Sequence, residues 1–231
     1  MKKKTIIALF ALILMSLSAA AQTISPKAIY VDSLGVTNEV TSIDNGQAPL
    51  EVSFKANPSG LGSNTASYEW HFRRDVGNNK FEEMFVRYEE DTQYTFNESG
   101  TYSILLKAKI DQDGSDIDPD SIKIVIADSW LDFPNAFTPN GDGLNDVYRA
   151  KSGYRSIVQF RATIINRWGQ RLFEWNDLTK GWDGTFHGSD CKEGVYFVIV
   201  KAKGADGREY NIRKDVNLFR HYIDGGKTSG K

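Results

Sequence analysis

Cysteine, histidine and long apolar runs are scarce in this chain, and each shortage removes a class of chemistry. The 231 residues include one cysteine, Cys191, which excludes an internal disulfide framework. Imidazoles are confined to His71, His187 and His221, and no two of them stand at metal-ligand spacing. His187 alone is close to Cys191 in sequence. A pair of Cys191 and His187 is therefore the one thiol dyad to weigh, against the commoner outcome of a buried and inert thiol. The longest apolar run, at 5–17, falls short of the ~20 residues a bilayer crossing needs. No stretch repeats apolar residues at helical spacing. No Gly-rich loop joins a strand to a helix, no Ser, His and Asp set stands out, and the carboxylates crowd into loops. A net charge of −2, without a basic stripe interleaved with aromatics, argues against nucleic acid as a partner. The expectation is a chain that is not an enzyme.

What is present begins with an address. Lys2, Lys3 and Lys4 precede the apolar run, and Ala19, Ala20 and Ala21 supply small residues for a signal peptidase. Residues 1–21 are thus expected to be a secretory signal peptide, with cleavage before Gln22 and export through the periplasm. No cysteine follows at the cleavage point to carry a lipid anchor.

The remainder reads as all-β: aromatic residues make up 12%, and turn dipeptides punctuate short β-branched and aromatic runs. Its charge is divided. Residues 22–128 carry nine Lys and Arg against eighteen Asp and Glu, whereas 129–231 carry sixteen against twelve, so the composition shifts near residue 129. Two β-sandwich domains, 22–128 and 129–220, are expected, with a polar tail at 221–231; independently solvated surfaces are the first reading, and a head-to-tail attraction between the oppositely charged halves the alternative.

The first domain offers seven strand-like runs, at 29–31, 50–55, 68–72, 81–88, 93–96, 102–110 and 122–126, which suits a sandwich of immunoglobulin size. Between the last two lies DQDGSDIDPD (111–120), with five carboxylates in ten residues. Asp111, Asp113, Asp116 and Asp118 are a candidate calcium cluster, because hard oxygen ligands in groups are what Ca²⁺ selects. A solvated acidic loop is the first reading, since the twelfth position from Asp111 is Ile122 and no EF-hand spacing exists. No other cofactor is expected.

The second domain hangs from FPNAFTPNGDGLND (133–146). Pro134 and Pro139 hold the preceding residues extended, and Asn140-Gly141 and Asp142-Gly143 supply positive φ for tight turns. The oxygens of Asn140, Asp142, Asn145 and Asp146 serve either the loop's own N–H groups, the first reading, or a cation. Downstream, 160–168 reads as a strand, paired with 171–175 through a turn at 168–170. Trp182 reads as an apolar plug beside a tight turn, and the apolar run 195–203 with 210–218 as a hairpin turning at 204–207, whose return strand alternates except at Lys214. Trp168, Trp175 and Trp182 are read as core and turn packing, with a sugar-binding face as the alternative.

FTPNGDGLND, followed by INRWG at 165–169, FE at 173–174, GWDG at 181–184 and GVYF at 194–197, resembles the gliding motility-associated C-terminal domain, the type B sorting domain of type IX secretion in Bacteroidetes-type bacteria. GQAPLEVSF (46–54), YEWHF (68–72) and YTF leading to GTY (94–96, 100–102) resemble a PKD domain, a relative of the Ig-like fold. That resemblance implies that Trp70 packs on a central strand. Arg73-Arg74-Asp75 replaces the PKD family's usual Gly-Asp-Gly turn, so the strand there either runs on or turns differently.

Together the resemblances imply a secreted or cell-surface, non-catalytic protein. Its export would be read by the outer-membrane type IX translocon and associated barrel proteins, and its PKD-like domain would bind a surface protein or glycan in adhesion. The alternative is a periplasmic or outer-membrane accessory component of the secretion and gliding machinery.

Overall fold

The structure, a computed structural model, describes residues 21–78 and 80–220. The expected signal peptide, apart from Ala21, and the tail at 221–231 lie outside the described residues.

Strands form where apolar and polar residues alternate and the turns between them are rich in Gly, Asn and Asp. The first domain runs through β1 (Lys27–Val31), β2 (Thr37–Val40), β3 (Ser42–Gly46), β4 (Leu50–Lys55), β5 (Ala66–Asp75), β6 (Phe81–Arg87), β7 (Thr92–Phe96), β8 (Gly100–Ile110) and β9 (Asp116–Ile126). They make two sheets, β2–β1–β4–β7 and β3–β9–β8–β5–β6. Tyr68, Trp70 and Phe72 on β5 alternate inward and meet Phe54, Phe96, Ile104 and Leu106 in one core. The Trp70 ring is fully buried, and its Nε1 donates to the carbonyls of Glu89 and Glu90 at 3.1 and 3.2 Å. Where the PKD pattern turns, β5 runs on through Arg73 and Arg74 to Asp75. Two strands lacked a sequence signal: β2 (TNEV) and β3 (SIDNG) are mostly polar and lie at sheet edges, with only Ile43 and Gly46 of β3 buried.

The acidic run is divided differently from the expectation of one loop. Only 111–115 turns, and β9 begins at Asp116. Ile117 points into the core while Asp116, Asp118 and Asp120 face solvent. β3 pairs with β9 only from Lys123 onward, which leaves the earlier half of β9 as an uncovered edge. A register shift opposite Leu106 and Ala108 accommodates Pro119 there. Pro and Asp on an open edge keep other strands from adding to it, a sufficient physical reason for the acidic run.

The second domain contains β10 (Ala136–Phe137), β11 (Ile157–Ile165), β12 (Arg171–Trp175), β13 (Thr185–Phe186), β14 (Ser189–Asp190), β15 (Gly194–Gly204) and β16 (Glu209–Leu218). Five of them form the sheet β10–β16–β15–β11–β12, and β13 with β14 makes a small ribbon. Irregular chain from 130 to 156 supplies most of the second layer, pinned by an isolated bridge between Tyr148 and Trp182. Phe133, Phe137, Tyr148, Trp175, Trp182, Val198, Val200, Val216 and Leu218 form its core. β11 ends at Ile165, earlier than the expected 168, because Asn166 Oδ1 accepts the N–H groups of Trp168 and Gln170, both at 3.0 Å, and so starts the turn. Lys214, which breaks the alternation of β16, donates to Asp132 at 2.8 Å and to the Phe133 carbonyl at 2.7 Å. Burial works to raise the Asp132 carboxyl, but hydrogen bonds from Lys151 and Lys214 prevail and hold it well below the usual carboxylate range.

The two domains meet directly. Residues 127–129 alone separate β9 from the bridge between Trp130 and Arg155. Ala205, on the hairpin tip after β15, is part of the first domain's core, and its carbonyl accepts Ser99 N–H at 3.1 Å. Ser156 Oγ accepts Ala48 N–H at 3.3 Å, and the Arg155 guanidinium donates to the Asp128 carbonyl at 3.1 Å. Ser129 donates its hydroxyl to Asp206 at 2.7 Å and shares a hydrogen bond with the Tyr210 hydroxyl at 2.9 Å. A Cβ on Gly204 would lie 2.1 Å from Ser129 Oγ, so only glycine lets the chain pass there.

Candidate recognition end of the second domain

One end of the second domain gathers the loops whose sequences were most distinctive. In the 138–146 loop a single carboxylate organises the backbone. Asp146 Oδ1 accepts the N–H groups of Asn140 and Gly141 at 2.9 and 2.7 Å, and Oδ2 accepts that of Gly143 at 2.7 Å. Asp142 accepts Leu144 N–H at 2.7 Å and an amide hydrogen of Asn140 at 2.9 Å. Thr138 N–H reaches the Asn145 carbonyl at 2.9 Å and closes the loop. Gly141 and Gly143 take φ of +80° and +84°, and Asn145 takes +55°, a conformation asparagine tolerates better than most residues. The side-chain oxygens of Asn140, Asp142 and Asp146 are thus taken by the loop's own donors, and Asn145 contributes its backbone carbonyl. Leu144 is left pointing outward, 70% exposed.

The carboxylates of the other candidate cluster do not converge. Asp111 accepts the Thr65 hydroxyl at 2.8 Å, Asp113 accepts the N–H and hydroxyl of Ser115, and Asp116 pairs with Lys109 at 3.6 Å. Asp118 sits on the bare edge of β9. Among the described residues, no group of three or more His, Cys, Asp and Glu is placed to hold a metal ion.

Hydrogen bonds from Gly141 and Gly143 hold the Asp146 carboxyl below the usual carboxylate range. Its contribution to the loop is complete above the unfolded value near ~4 and fades as pH falls through the lower folded value. Asp146→Ala is expected to speed hydrogen exchange at the amides of Asn140, Gly141 and Gly143 at neutral pH and to leave exchange in β15 unchanged. In the unaltered protein the same three amides are expected to lose protection on acidification below that range. Unchanged exchange in the variant would show that the turns hold themselves.

GWDG packs against this loop, and close approach explains two of its residues. A Cβ at Gly181 would stand 2.3 Å from the Tyr148 carbonyl oxygen. That carbonyl accepts Trp182 N–H at 3.0 Å, and Tyr148 N–H returns the bond at 2.8 Å. Gly184 has φ of +83°, and a Cβ there would meet Pro139 at 3.0 Å and Leu218 at 3.1 Å. The Trp182 ring is fully buried between Phe137 and Tyr196, with Nε1 donating to the Thr185 carbonyl at 2.8 Å.

Sequence reasoning missed the residue that ties these parts together. The Arg220 guanidinium donates to the carbonyls of Pro139, Gly184 and Cys191 at 3.3, 3.0 and 3.3 Å and pairs with Asp190 at 3.1 Å. Its backbone N–H donates to Glu193 at 2.6 Å. Five donors in a planar fork suit this task. No sequence signal could reveal it, because Pro139 and Gly184 are distant along the chain.

Two of the three tryptophans of this domain singled out by sequence, Trp175 and Trp182, are buried, whereas Trp168 is 75% exposed under the Arg167 guanidinium, 4.3 Å from its ring centre. The three therefore form no common face. Burial pushes the Cys191 thiol up, and its hydrogen-bond partner is Tyr196. His187 instead lies against the Phe186 ring at 4.0 Å.

No curated protein sequence matches the chain. Among solved structures, it is similar to the FN1–FN3 domains of chicken CNTN1 at 9% identity and a TM-score of 0.30, covering 84% of this chain and 74% of that one. It is also similar to Bacteroides ovatus SGBP-B of the mixed-linkage glucan utilization locus, in complex with a mixed-linkage heptasaccharide, at 13% identity and a TM-score of 0.28, covering 87% of this chain and 48% of that one. A third is dimeric latent PorU from Porphyromonas gingivalis, at 12% identity and a TM-score of 0.26, covering 88% of this chain and 21% of that one. With scores this low, none of the three bears on function. Residues 131–214, which carry the 138–146 loop, GWDG and most of the five-stranded sheet, match the family model of the CHU_C Type IX secretion signal domain, and the second domain is such a domain.

Proposed function

We propose that the chain is a non-catalytic cell-surface or secreted protein whose first domain is a binding module for a surface protein or glycan and whose second domain is its export signal, read by the outer-membrane translocon. The observation that carries the reading is the match over residues 131–214. Two features of the molecule support the division of labour. The recognition end holds distinctive loops in a fixed shape and displays Leu144 without building a reactive group. At the other domain, the hairpin between β1 and β2 displays Leu34, 85% exposed, between Val31 and Val36. Asp32 fixes that tip by accepting the N–H groups of Leu34 and Val36 at 2.9 and 3.0 Å. Rigid apolar display of this kind lowers the entropy cost of binding.

Protease added to intact cells, with separate antibodies for the two domains, tests the proposal. Digestion of the first domain is expected, and a chain lacking 129–231 is expected to remain inside and protected. Full protection of the intact chain would overturn the surface reading and favour an accessory component of the secretion and gliding machinery.

A further inference from the structure

An asparagine followed by glycine rearranges readily, because glycine has no Cβ to shield its backbone nitrogen from the preceding carboxamide. The chain contains two such pairs, Asn45-Gly46 and Asn140-Gly141. The first lies in β3, where pairing with β9 holds the backbone. The second is exposed in the 138–146 loop, and a Cβ on Gly141 would touch nothing within 4 Å. Packing therefore does not protect it. Ring closure requires the Gly141 nitrogen to lose its proton and to reach Cγ of Asn140. The Gly141 N–H instead donates to Asp146 Oδ1 at 2.7 Å, and an anion so close disfavours the amide anion that would attack. The Asn140 carboxamide is held at both ends, since Oδ1 accepts Asp142 N–H at 3.2 Å and Nδ2 donates to Asp142 Oδ2 at 2.9 Å. Nucleophile and electrophile are both engaged elsewhere.

We propose that Asn140 is a latent modification site, a succinimide-forming asparagine that the Asp146 carboxylate keeps closed in the folded chain. When the loop opens, the Gly141 nitrogen bonds to Cγ of Asn140, the bond from Cγ to Nδ2 breaks, and ammonia leaves with the amide proton. Water then opens the ring at either carbonyl, giving aspartate or isoaspartate. Either product ends the loop's present form. Aspartate sets a carboxylate against Asp142 where a donor stood. Isoaspartate lengthens the main chain by a methylene between the two N–H groups that Asp146 Oδ1 now receives together. One carboxylate thus gives the loop its shape and preserves its covalent structure. The inference stands whether or not the translocon reads this loop.

The test holds the purified chain 22–231 in warm, mildly alkaline buffer and follows its tryptic peptides 28–55 and 124–149 by mass spectrometry. Fragmentation locates each conversion, and labelling with isoaspartyl methyltransferase counts the isoaspartate. In the folded parent chain Asn140 is expected to persist. Unfolding the parent in guanidinium chloride and the substitution Asp146→Ala are each expected to speed conversion at Asn140 about ten-fold or more, since only the opened loop reacts. Asp142→Ala, which releases Nδ2 of Asn140 but not the Gly141 N–H, is expected to fall between. Asn45 is expected to convert at the parent rate in both folded variants. Conversion of Asn140 in the folded parent at the unfolded rate would overturn the proposal, as would an Asp146→Ala chain no faster than the parent. Equal acceleration at Asn45 would overturn it too, by making general unfolding the cause.

Discussion

Replacing Trp182 by alanine is expected to cost the second domain about 4 kcal/mol, the range for deleting a fully buried indole. The ring has no exposed surface and packs on Phe137 and Tyr196 with centroids 5.3 and 5.0 Å away. Its Nε1 also satisfies the Thr185 carbonyl, so the variant leaves both a cavity and an unpaired acceptor. Whole domains are stable by only ~5–15 kcal/mol, so this loss spends a large share of the margin. The melting temperature should fall by about 12 °C, and the surface-exposed fraction of the protein should fall with it. Gly181→Ala approaches the same point by a different route. It adds a methyl group 2.3 Å from a backbone oxygen that has nowhere to move while the bridge between Tyr148 and Trp182 persists. Both variants are expected to fail together in export. If Trp182→Ala melts like the parent chain, the ring is not what holds the loops to the sheet.

The second large effect is expected at the joint between the domains. Ala205 is 7% exposed, and its neighbours are Ser99, Ser156 and the end of the first core. Ala205→Glu forces a bulkier side chain into this close-packed joint, a loss of roughly 3 kcal/mol. The parent chain is expected to unfold in one calorimetric transition and to resist subtilisin between residues 126 and 132. A protease needs an extended, accessible segment, and 127–129 are hydrogen bonded on both sides. The variant should show two transitions and release two fragments. Two transitions in the parent chain would show that the contact does not couple the domains.

Patterns of one strand and its own neighbours were legible in the sequence, and contacts between distant small residues were not. The final hairpin could be read because Val195 through Lys203 is an apolar run and, beyond a Gly-rich turn, Tyr210, Ile212, Val216 and Leu218 alternate with polar residues. Lys214 looked like a fault in that alternation, and its explanation, Asp132, lies far back in the chain. The seven strongest strands of the first domain show their apolar period, whereas β2 and β3 are edge strands made mostly of polar residues. The acidic run misled because Ile117 is a single buried residue among aspartates, too little to show a strand by periodicity. At the recognition end, the turn dipeptides and the first role given to Asp146 were readable, since an Asx side chain acts within a few residues. The joint was hidden for the opposite reason. Ser99, Ser156, Gly204 and Ala205 are ordinary residues whose importance lies in how closely backbones approach.

The clasp formed by Arg220 has a consequence for synthesis. β16 lies inside its sheet, between β10 and β15, and Val216 and Leu218 fill the core with no exposed surface. A ribosome that stalls between residues 204 and 209 therefore leaves a polypeptide whose first sandwich has all its strands and whose second lacks the strand that joins β10 to β15. One that stalls between Leu218 and Arg220 leaves the sheet complete and the loops at its end untied. If the proposed export reading holds and the finished second sandwich is what is read, such a truncated product carries the first sandwich without the shape that would export it.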